Sequence, residues 1–193
     1  MKVLQVHQRF RNWCRIIVFL SCALLVACSK PMDIYKSIDI SKSGQSVKID
    51  FEISKIREYR ISLLFATGDS QEERERRSEL FRADIDGVVI PITFRLVKDG
   101  KVLFDEEINT VGATLIHTVH HKEKKIETAV RIIDIFQFTP GHYSMVITTQ
   151  KDVPAFNGIE SFVHITEDVF DGQIYQLLES QIMRTQDAPS AGM

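Results

Sequence analysis

Apolar and polar residues alternate with a period of two along most of this chain from residue 33 onward. In Ser46–Ile53 the hydrophobic side chains share one face and the polar side chains the other, which is typical of an antiparallel strand with one buried face. The same alternation recurs in further stretches, at 58–65, 88–97, 102–105, 114–120, 125–138, 143–148 and 161–165. Eight or nine strands at this spacing predict a mainly β fold, an antiparallel β-sandwich of the immunoglobulin-like or jelly-roll-like kind.

Turn residues separate these stretches and predict how they connect. The pair Asp99-Gly100 is typical of a tight hairpin. In Phe138–Tyr143, Pro140 and Gly141 predict a type II turn, after which the Tyr143 hydroxyl can reach a backbone group as in a tyrosine corner. Because Pro91 cannot donate to a ladder, we expect it at a sheet edge or a bulge.

Two segments have helical rather than strand patterns. Ser70–Glu73 forms a capping box, which predicts a short solvated helix inserted between strands. Hydrophobic residues at helical spacing in 172–184 predict a C-terminal helix. Residues 185–193 are mostly small or polar, and we expect them to be disordered. The folded domain is therefore predicted over 33–184.

The N-terminal region has the organisation of a secretory signal over residues 1–27. A basic segment of fifteen residues precedes twelve residues without a charge, Ile16–Ala27. A membrane-spanning helix needs about 20 apolar residues, so the stretch fits a signal core better than a permanent span. An uncleaved signal anchor is the alternative.

The signal ends in a sequence that resembles the lipobox of bacterial lipoproteins, Leu25, Val26 and Ala27 followed by Cys28. The resemblance implies that Cys28 receives diacylglycerol and acyl chains of the palmitate type, which together anchor a protein stably to a bilayer. Residues 28–32 would then be the lipidated cysteine and a short tether. Since Ser29 and not Asp follows Cys28, the lipoprotein-sorting pattern implies the outer membrane, with the domain facing the periplasm.

Removal of the signal changes the charge and the cysteine content of the mature chain. The signal contains four of the 24 cationic residues and none of the 26 acidic ones, so the mature chain is near −6. An acidic domain has no electrostatic basis for binding nucleic acid. Cys14 and Cys22 leave with the signal and Cys28 is lipidated, which excludes disulfides, thiol nucleophiles and cysteine metal ligands. We expect no cofactor.

Candidate metal and catalytic residues are weakly supported by the sequence. On a strand, His117 and His121 share a face about 13 Å apart and His120 points to the other face, so we expect no metal site there. The acidic groups 84–86 and 105–107 lack calcium-loop spacing and fit a solvated rim. No hydrolase nucleophile motif occurs, and we expect a non-enzyme. A hydrolase would need a pocket that gathers His142 or His164 with a hydroxyl and a carboxylate.

The loop 152–158 is the candidate binding loop, because loops at sandwich ends commonly carry binding function. Its candidate contact residues are Pro154, Phe156 and Asn157. Phe156 can be either an exposed contact residue or a plug at the end of the sandwich, and of these two interpretations we favour the plug.

The lipobox, the alternating strands, the Pro-Gly-x-Tyr corner and the loop 154–158 together resemble an uncharacterised family of small proteobacterial lipoproteins over roughly residues 33 to 166. The resemblance implies a membrane-anchored β-sandwich and transfers no catalytic residue. We expect a protein-binding module, for example one that gives immunity against a delivered toxin. The alternatives are a ligand- or carbohydrate-binding lipoprotein, with aromatic side chains grouped on an exposed face, and a structural envelope protein.

Overall fold

A computed structural model describes residues 31–81, 87–113 and 115–167, and the residues from Met32 onward form a unit of their own. The predicted signal, the lipobox Leu25–Ala27 and Cys28 lie outside the described residues. So do the acidic pair Asp84 and Asp86, the predicted helix over 172–184 and the tail 185–193.

The described residues form nine strands and one α-helix, which confirms the predicted mainly β class. The helix lies between the third and fourth strands, and one 3₁₀ turn, Pro154–Phe156, lies between the eighth and ninth. The elements are β1 (Asp33–Ser37), β2 (Ser46–Ile53), β3 (Arg57–Ala66), α1 (Gln71–Phe81), β4 (Ile90–Lys98), β5 (Lys101–Thr110), β6 (Leu115–His121), β7 (Lys124–Phe138), β8 (Gly141–Thr149) and β9 (Ser161–Glu167).

The strands form two antiparallel sheets, and the main core lies between them. The first sheet has the order β1-β9-β3-β7-β6 and the second β2-β8-β4-β5. Strand β2 alternates between exposed and buried positions along its whole length, as the period of two predicts. Aromatic and aliphatic side chains from both sheets fill the core, among them Phe51, Phe65, Phe94 and Ile147. The β-sandwich prediction is confirmed.

The five-stranded sheet curls so that its outer face is buried as well. Its two edge strands approach each other where the Tyr35 hydroxyl in β1 donates to the carbonyl of His120 in β6. Leu64, Val119 and Phe162 are buried in a second hydrophobic cluster, away from the main core. Strand β3 is consequently buried on both faces from Tyr59 onward, although alternation alone predicts one buried face.

The predicted turns are mostly present. Asp99 and Gly100 join β4 to β5 with φ of 47° and 81°, the positive pair that a type I′ hairpin requires. The Tyr143 hydroxyl donates to the carbonyl of Thr139 at 2.8 Å, which confirms the tyrosine corner. Gly141 has a positive φ, but its 151° differs from the roughly 80° of a type II turn. There, a Cβ atom would lie 2.6 Å from the side chain of Lys98.

The prediction that Pro91 lies at an edge or bulge is wrong. Strand β4 is central in its sheet, and Pro91 is its second residue, one position before the ladder with β8 begins at Ile92. Its missing N–H therefore breaks no bond to β8. Proline is tolerated near the beginning of a strand for this reason.

Helix α1 begins as the capping box predicts. The Ser70 hydroxyl accepts a hydrogen bond from the Glu73 N–H at 3.1 Å, while the Glu73 carboxylate accepts from the N–H of Asp69 at 3.0 Å. The helix is polar except near its end, where Phe81 is buried against Phe65. Within residues 31–81, 87–113 and 115–167, no helix is long and apolar enough to span a membrane.

Arg131 in β7 is fully buried and links two other chain segments, at Val88 and at 110–112, to the core. Its guanidinium donates to the carbonyls of Gly112 at 2.6 Å, Val88 at 2.9 Å and Thr110 at 3.0 Å. It also lies over the ring of Phe65, with 5.3 Å between the guanidinium carbon and the ring centre. Burial lowers the pKa of Arg131 to about 10, so the group is still charged at neutral pH.

Candidate functional site

An open groove of about 550 Å³ lies at one end of the sandwich. Ser37 at the end of β1 and Phe162 at the beginning of β9 form part of its wall and pair with each other. Met32 lies at the other end of the same two strands, where its carbonyl accepts from the N–H of Glu167. Asp33 and Ser37 are four positions apart in β1, so the groove is about 13 Å further along this strand than the point where the chain enters the domain.

The groove is lined mainly by hydroxyl, amide and charged groups. Asp39, Lys42, Lys122 and Glu160 carry its charges, and its polar neutral side chains are Ser37, Ser41, Gln45, Ser46, Asn157 and Ser161. The Ser41 hydroxyl donates to Asp39 at 2.5 Å, and Lys42 lies 3.1 Å from the same carboxylate. These two bonds, with the hydroxyl first, hold the pKa of Asp39 below its usual range. The groove therefore offers paired and oriented charges of both signs.

The candidate binding loop is divided between the groove and the core. Asn157 lines the groove and Pro154 is exposed. Phe156 is 1% exposed, with 4.9 Å between its ring centre and that of Phe65. The 3₁₀ turn directs the ring into the core, so Phe156 plugs the end of the sandwich, as the favoured interpretation predicts. Its candidate role as an exposed contact residue is wrong.

A second polar cluster lies inside the curled sheet, at the end nearer Met32. Asp33 comes from β1, His117 from β6 and His164 from β9, and one potential ligand atom from each lies within 4.8 Å of the others. His164 Nε2 is 2.6 Å from Asp33 Oδ1, and the rings of His117 and His164 stack with 4.9 Å between their centres. Ser62 Oγ completes the cluster, 3.4 Å from His164 Nδ1.

His164 is the buried member of this cluster, with 1% exposure. Burial lowers its pKa, while the hydrogen bond to Asp33 opposes the shift, so the ring is neutral at pH 7. Since a carboxylate oxygen can only accept, Nε2 carries the proton and Nδ1 can accept from the Ser62 hydroxyl. Asp33 is the accessible member, with its side chain 47% exposed. The buried imidazole of His164 is thus connected to the protein surface by its hydrogen bond to Asp33.

The predicted faces of the three histidines in β6 agree with the structure, but the expectation of no metal site did not consider residues outside β6. His117 and His121 do face the inside of the curled sheet, where His121 contacts Phe162, whereas His120 is exposed on the other side. The partners of His117 come from β1 and β9, far away in the sequence. Local spacing could not indicate them. The only sequence signal was the position of His164 on a strand with buried neighbours.

The grouping of Ser62, His164 and Asp33 contains the hydroxyl, imidazole and carboxylate that a hydrolase would need. However, Ser62 is 0% exposed, and its hydroxyl faces His164 from inside the sheet. A nucleophile must reach the carbonyl of its substrate, which this hydroxyl does not. His142 lies instead at a shallow surface depression beside the β4–β5 turn.

Together these features define an antiparallel β-sandwich domain with a polar groove at one end and a partly buried histidine–aspartate cluster near the other. The chain belongs to the family of the domain of unknown function DUF5625, whose model matches residues 35–167. The prediction of an uncharacterised family is thereby confirmed.

The domain also resembles a solved structure, the crystal structure of GEBA250068378 from Sulfurospirillum deleyianum. The two chains are 19% identical, with a TM-score of 0.59, and the match covers 73% of this chain and 100% of the other. At this identity the likeness concerns the fold. A comparison with curated proteins gave no match. Neither the family nor the solved structure indicates an enzyme family.

Proposed function

We propose that this chain is a lipoprotein, lipidated at Cys28, whose non-enzymatic β-sandwich faces the periplasm from the outer membrane and binds another protein. The observation that carries the proposal is the polar groove at the end of the domain remote from Met32. The specific function that we favour is immunity against a delivered toxin, because the domain is small and, in this proposal, anchored to the membrane.

The position of the groove supports the proposal. Cys28 and Met32 are four residues apart, a span of at most about 14 Å in a fully extended chain. A domain on so short a tether keeps its Met32 end near the lipid surface. The groove, at the other end of β1, would then point toward the periplasm, where a partner could reach it.

The chemistry of the groove favours a protein partner over a carbohydrate. Polar side chains and paired charges of both signs complement a polypeptide loop, with its backbone donors and acceptors and its charged side chains. Carbohydrate recognition would need aromatic side chains on an accessible face. Among the described residues no aromatic side chain is exposed, so no observation favours the carbohydrate alternative.

The first experiment tests the anchor. We expect the full-length chain to incorporate labelled palmitate and to fractionate with the outer membrane, and Cys28→Ser to abolish both. Incorporation that survives Cys28→Ser, or a chain that stays in the inner membrane, would contradict the anchoring part of the proposal.

The second experiment tests the groove. The full-length protein is crosslinked in cells and captured from detergent-solubilised membranes, as wild type and as the double variant Lys42→Glu and Lys122→Glu, which reverses both groove lysines. The control is Lys101→Glu, an exposed lysine of the β4–β5 hairpin at the other end of the domain. We expect one stoichiometric partner with wild type and control, and its loss with the double variant.

A partner captured equally by all three proteins would argue against the groove, and no stoichiometric partner would argue against the binding function as a whole. A deletion that makes the envelope permeable in the absence of any toxin would favour the structural alternative. For immunity, the deletion strain should become sensitive to a toxin encoded beside the gene, and only the groove-competent forms should restore resistance.

A further inference from the structure

The cluster of Asp33, His117 and His164 combines donors that are scattered over the sequence but adjacent in space. Each comes from a different strand, and the two edge strands of the curled sheet, β1 and β6, each contribute one donor. Two imidazoles and one carboxylate form a set used for zinc and related divalent ions in proteins.

We propose that Asp33, His117 and His164 bind one divalent transition-metal ion, with Zn²⁺ as the reference ion. Three protein donors leave a fourth tetrahedral position, which a water molecule would take. Because Asp33 is the exposed member, that position lies on the solvent side of the cluster.

The distances fit such an ion after a small adjustment. At Zn–N distances of about 2.0–2.1 Å, two imidazoles on one tetrahedral ion have ring centres about 5 Å apart, and those of His117 and His164 are 4.9 Å apart. The contact of 2.6 Å between Asp33 Oδ1 and His164 Nε2 must widen by under about 1 Å to reach ligand–ligand spacing. Rotation of the exposed Asp33 side chain can supply this movement.

Ser62 can form a hydrogen bond to Nδ1 of His164 both with and without a bound ion. When Nε2 donates to Asp33, the Ser62 hydroxyl donates to Nδ1; when Nε2 binds the ion, the proton is carried by Nδ1 and the hydroxyl accepts it. Metal-bound histidines commonly have such an outer hydrogen-bond partner, which fixes the ring and its tautomer. The lowered pKa of His164 is consistent with a ring that is neutral and ready to bind.

The ion would act on the fold as well as on ligands. It would connect β1, β6 and β9 at one point and hold the two edges of the curled sheet together. Those edges already meet where the Tyr35 hydroxyl donates to the His120 carbonyl, and the ion would add a further link. Metal binding should therefore raise the melting temperature of the domain.

The test uses the full-length protein in detergent, stripped with EDTA and titrated calorimetrically with ZnCl₂, with Co²⁺ absorption as a spectroscopic readout. We expect one ion per chain, a tetrahedral Co²⁺ spectrum and a higher Tm. His117→Ala and Asp33→Ala should each weaken binding by about 100-fold or more, and Ser62→Ala by about 10-fold, since loss of outer partners typically reduces affinity 10- to 100-fold.

The matched control is His120→Ala, which removes an exposed histidine from the same strand but from its other face. It should bind Zn²⁺ like the wild type. Equal losses in His120→Ala and His117→Ala would mean adventitious binding to surface histidines and overturn the proposal. Failure of the wild type to bind a stoichiometric ion would also overturn it, as would an unchanged affinity in Asp33→Ala together with His117→Ala.

Discussion

Replacement of Arg131 by methionine tests whether a buried charge holds the sandwich closed at the α1 end. Methionine approximates the volume of the arginine stem, so the change removes the charge and its hydrogen bonds without opening a large cavity. Three carbonyls, those of Val88, Thr110 and Gly112, lose their donor in the variant.

The magnitude follows from two opposing effects. Hydrogen bonds to a charged group contribute about 1.5–3 kcal/mol each, so three contribute roughly 5–9 kcal/mol. Burial lowers the pKa of Arg131 from 12.5 to about 10, which corresponds to a desolvation cost of roughly 3 kcal/mol at about 1.4 kcal/mol per pKa unit. We therefore expect Arg131→Met to reduce the free energy of unfolding by about 4 kcal/mol.

Denaturant unfolding of the full-length chain in detergent, followed by circular dichroism, measures this loss. The control is Arg95→Met, because Arg95 is 51% exposed and lies 3.7 Å from Asp105; exposed pairs contribute about 1 kcal/mol or less. The folded-state pKa is below the unfolded one, so the desolvation cost is constant below about pH 10 and falls only above it. Losses of similar size in the two variants, or a difference that varies between pH 6 and 9, would refute the reasoning.

Three further substitutions probe the turns and the loop. Gly141→Ala should cost about 2 kcal/mol, more than Gly44→Ala, because the φ of 151° at Gly141 is much farther from the left-handed minimum at about 57° than the 71° at Gly44. The side chains of Lys98 and Asp99 would also have to move, and equal melting temperatures would contradict this. Phe156→Ala should cost about 3–5 kcal/mol and Pro154→Ala under about 0.5 kcal/mol, as measured by denaturant unfolding. Tyr143→Phe should cost about 1 kcal/mol, the value of its hydrogen bond, and an unchanged stability would argue against the tyrosine corner.

Local sequence was sufficient for the strands that have one buried face and for the tight turns. Alternation in Ser46–Ile53 and the pair Asp99-Gly100 depend on neighbours in the chain, and both were predicted correctly. The curl of the five-stranded sheet was not predictable. It depends on contacts such as that from Tyr35 to the carbonyl of His120, 85 residues away. The same curl explains why a polar residue such as Ser62 is buried in β3.

The candidate sites were harder to predict from the sequence than the strands and turns. The loop 152–158 was identified, but its aromatic residue points into the core while Asn157 lines the groove. His164 stands 131 residues from its hydrogen-bond partner Asp33, a separation at which no spacing rule applies. In the sequence, Arg131 looks like an ordinary polar residue of a strand. It can be buried because three backbone carbonyls from other segments of the chain accept its hydrogen bonds.

The polar groove and the proposed metal site share strands β1 and β6. Whether binding at one site affects binding at the other can therefore be tested. Asp33 and Ser37 lie at opposite ends of β1, and His117 and His121 are four residues apart on the same face of β6. Asp33 and His117 belong to the cluster, whereas Ser37 and His121 line the groove. An ion that fixes β1 against β6 should therefore also fix two walls of the groove, so less ordering is required when a partner binds.

We therefore expect Zn²⁺ to tighten the capture of the groove partner by several-fold, and the partner to tighten Zn²⁺ binding by the same factor, because coupling between two sites is reciprocal. The measurement compares partner affinity for wild type, His117→Ala and His120→Ala with and without Zn²⁺. The effect should persist in His120→Ala and disappear in His117→Ala. The contrary result is a protein that binds Zn²⁺ but has the same partner affinity with and without the ion. It would show that the shared strands do not couple metal binding to partner binding.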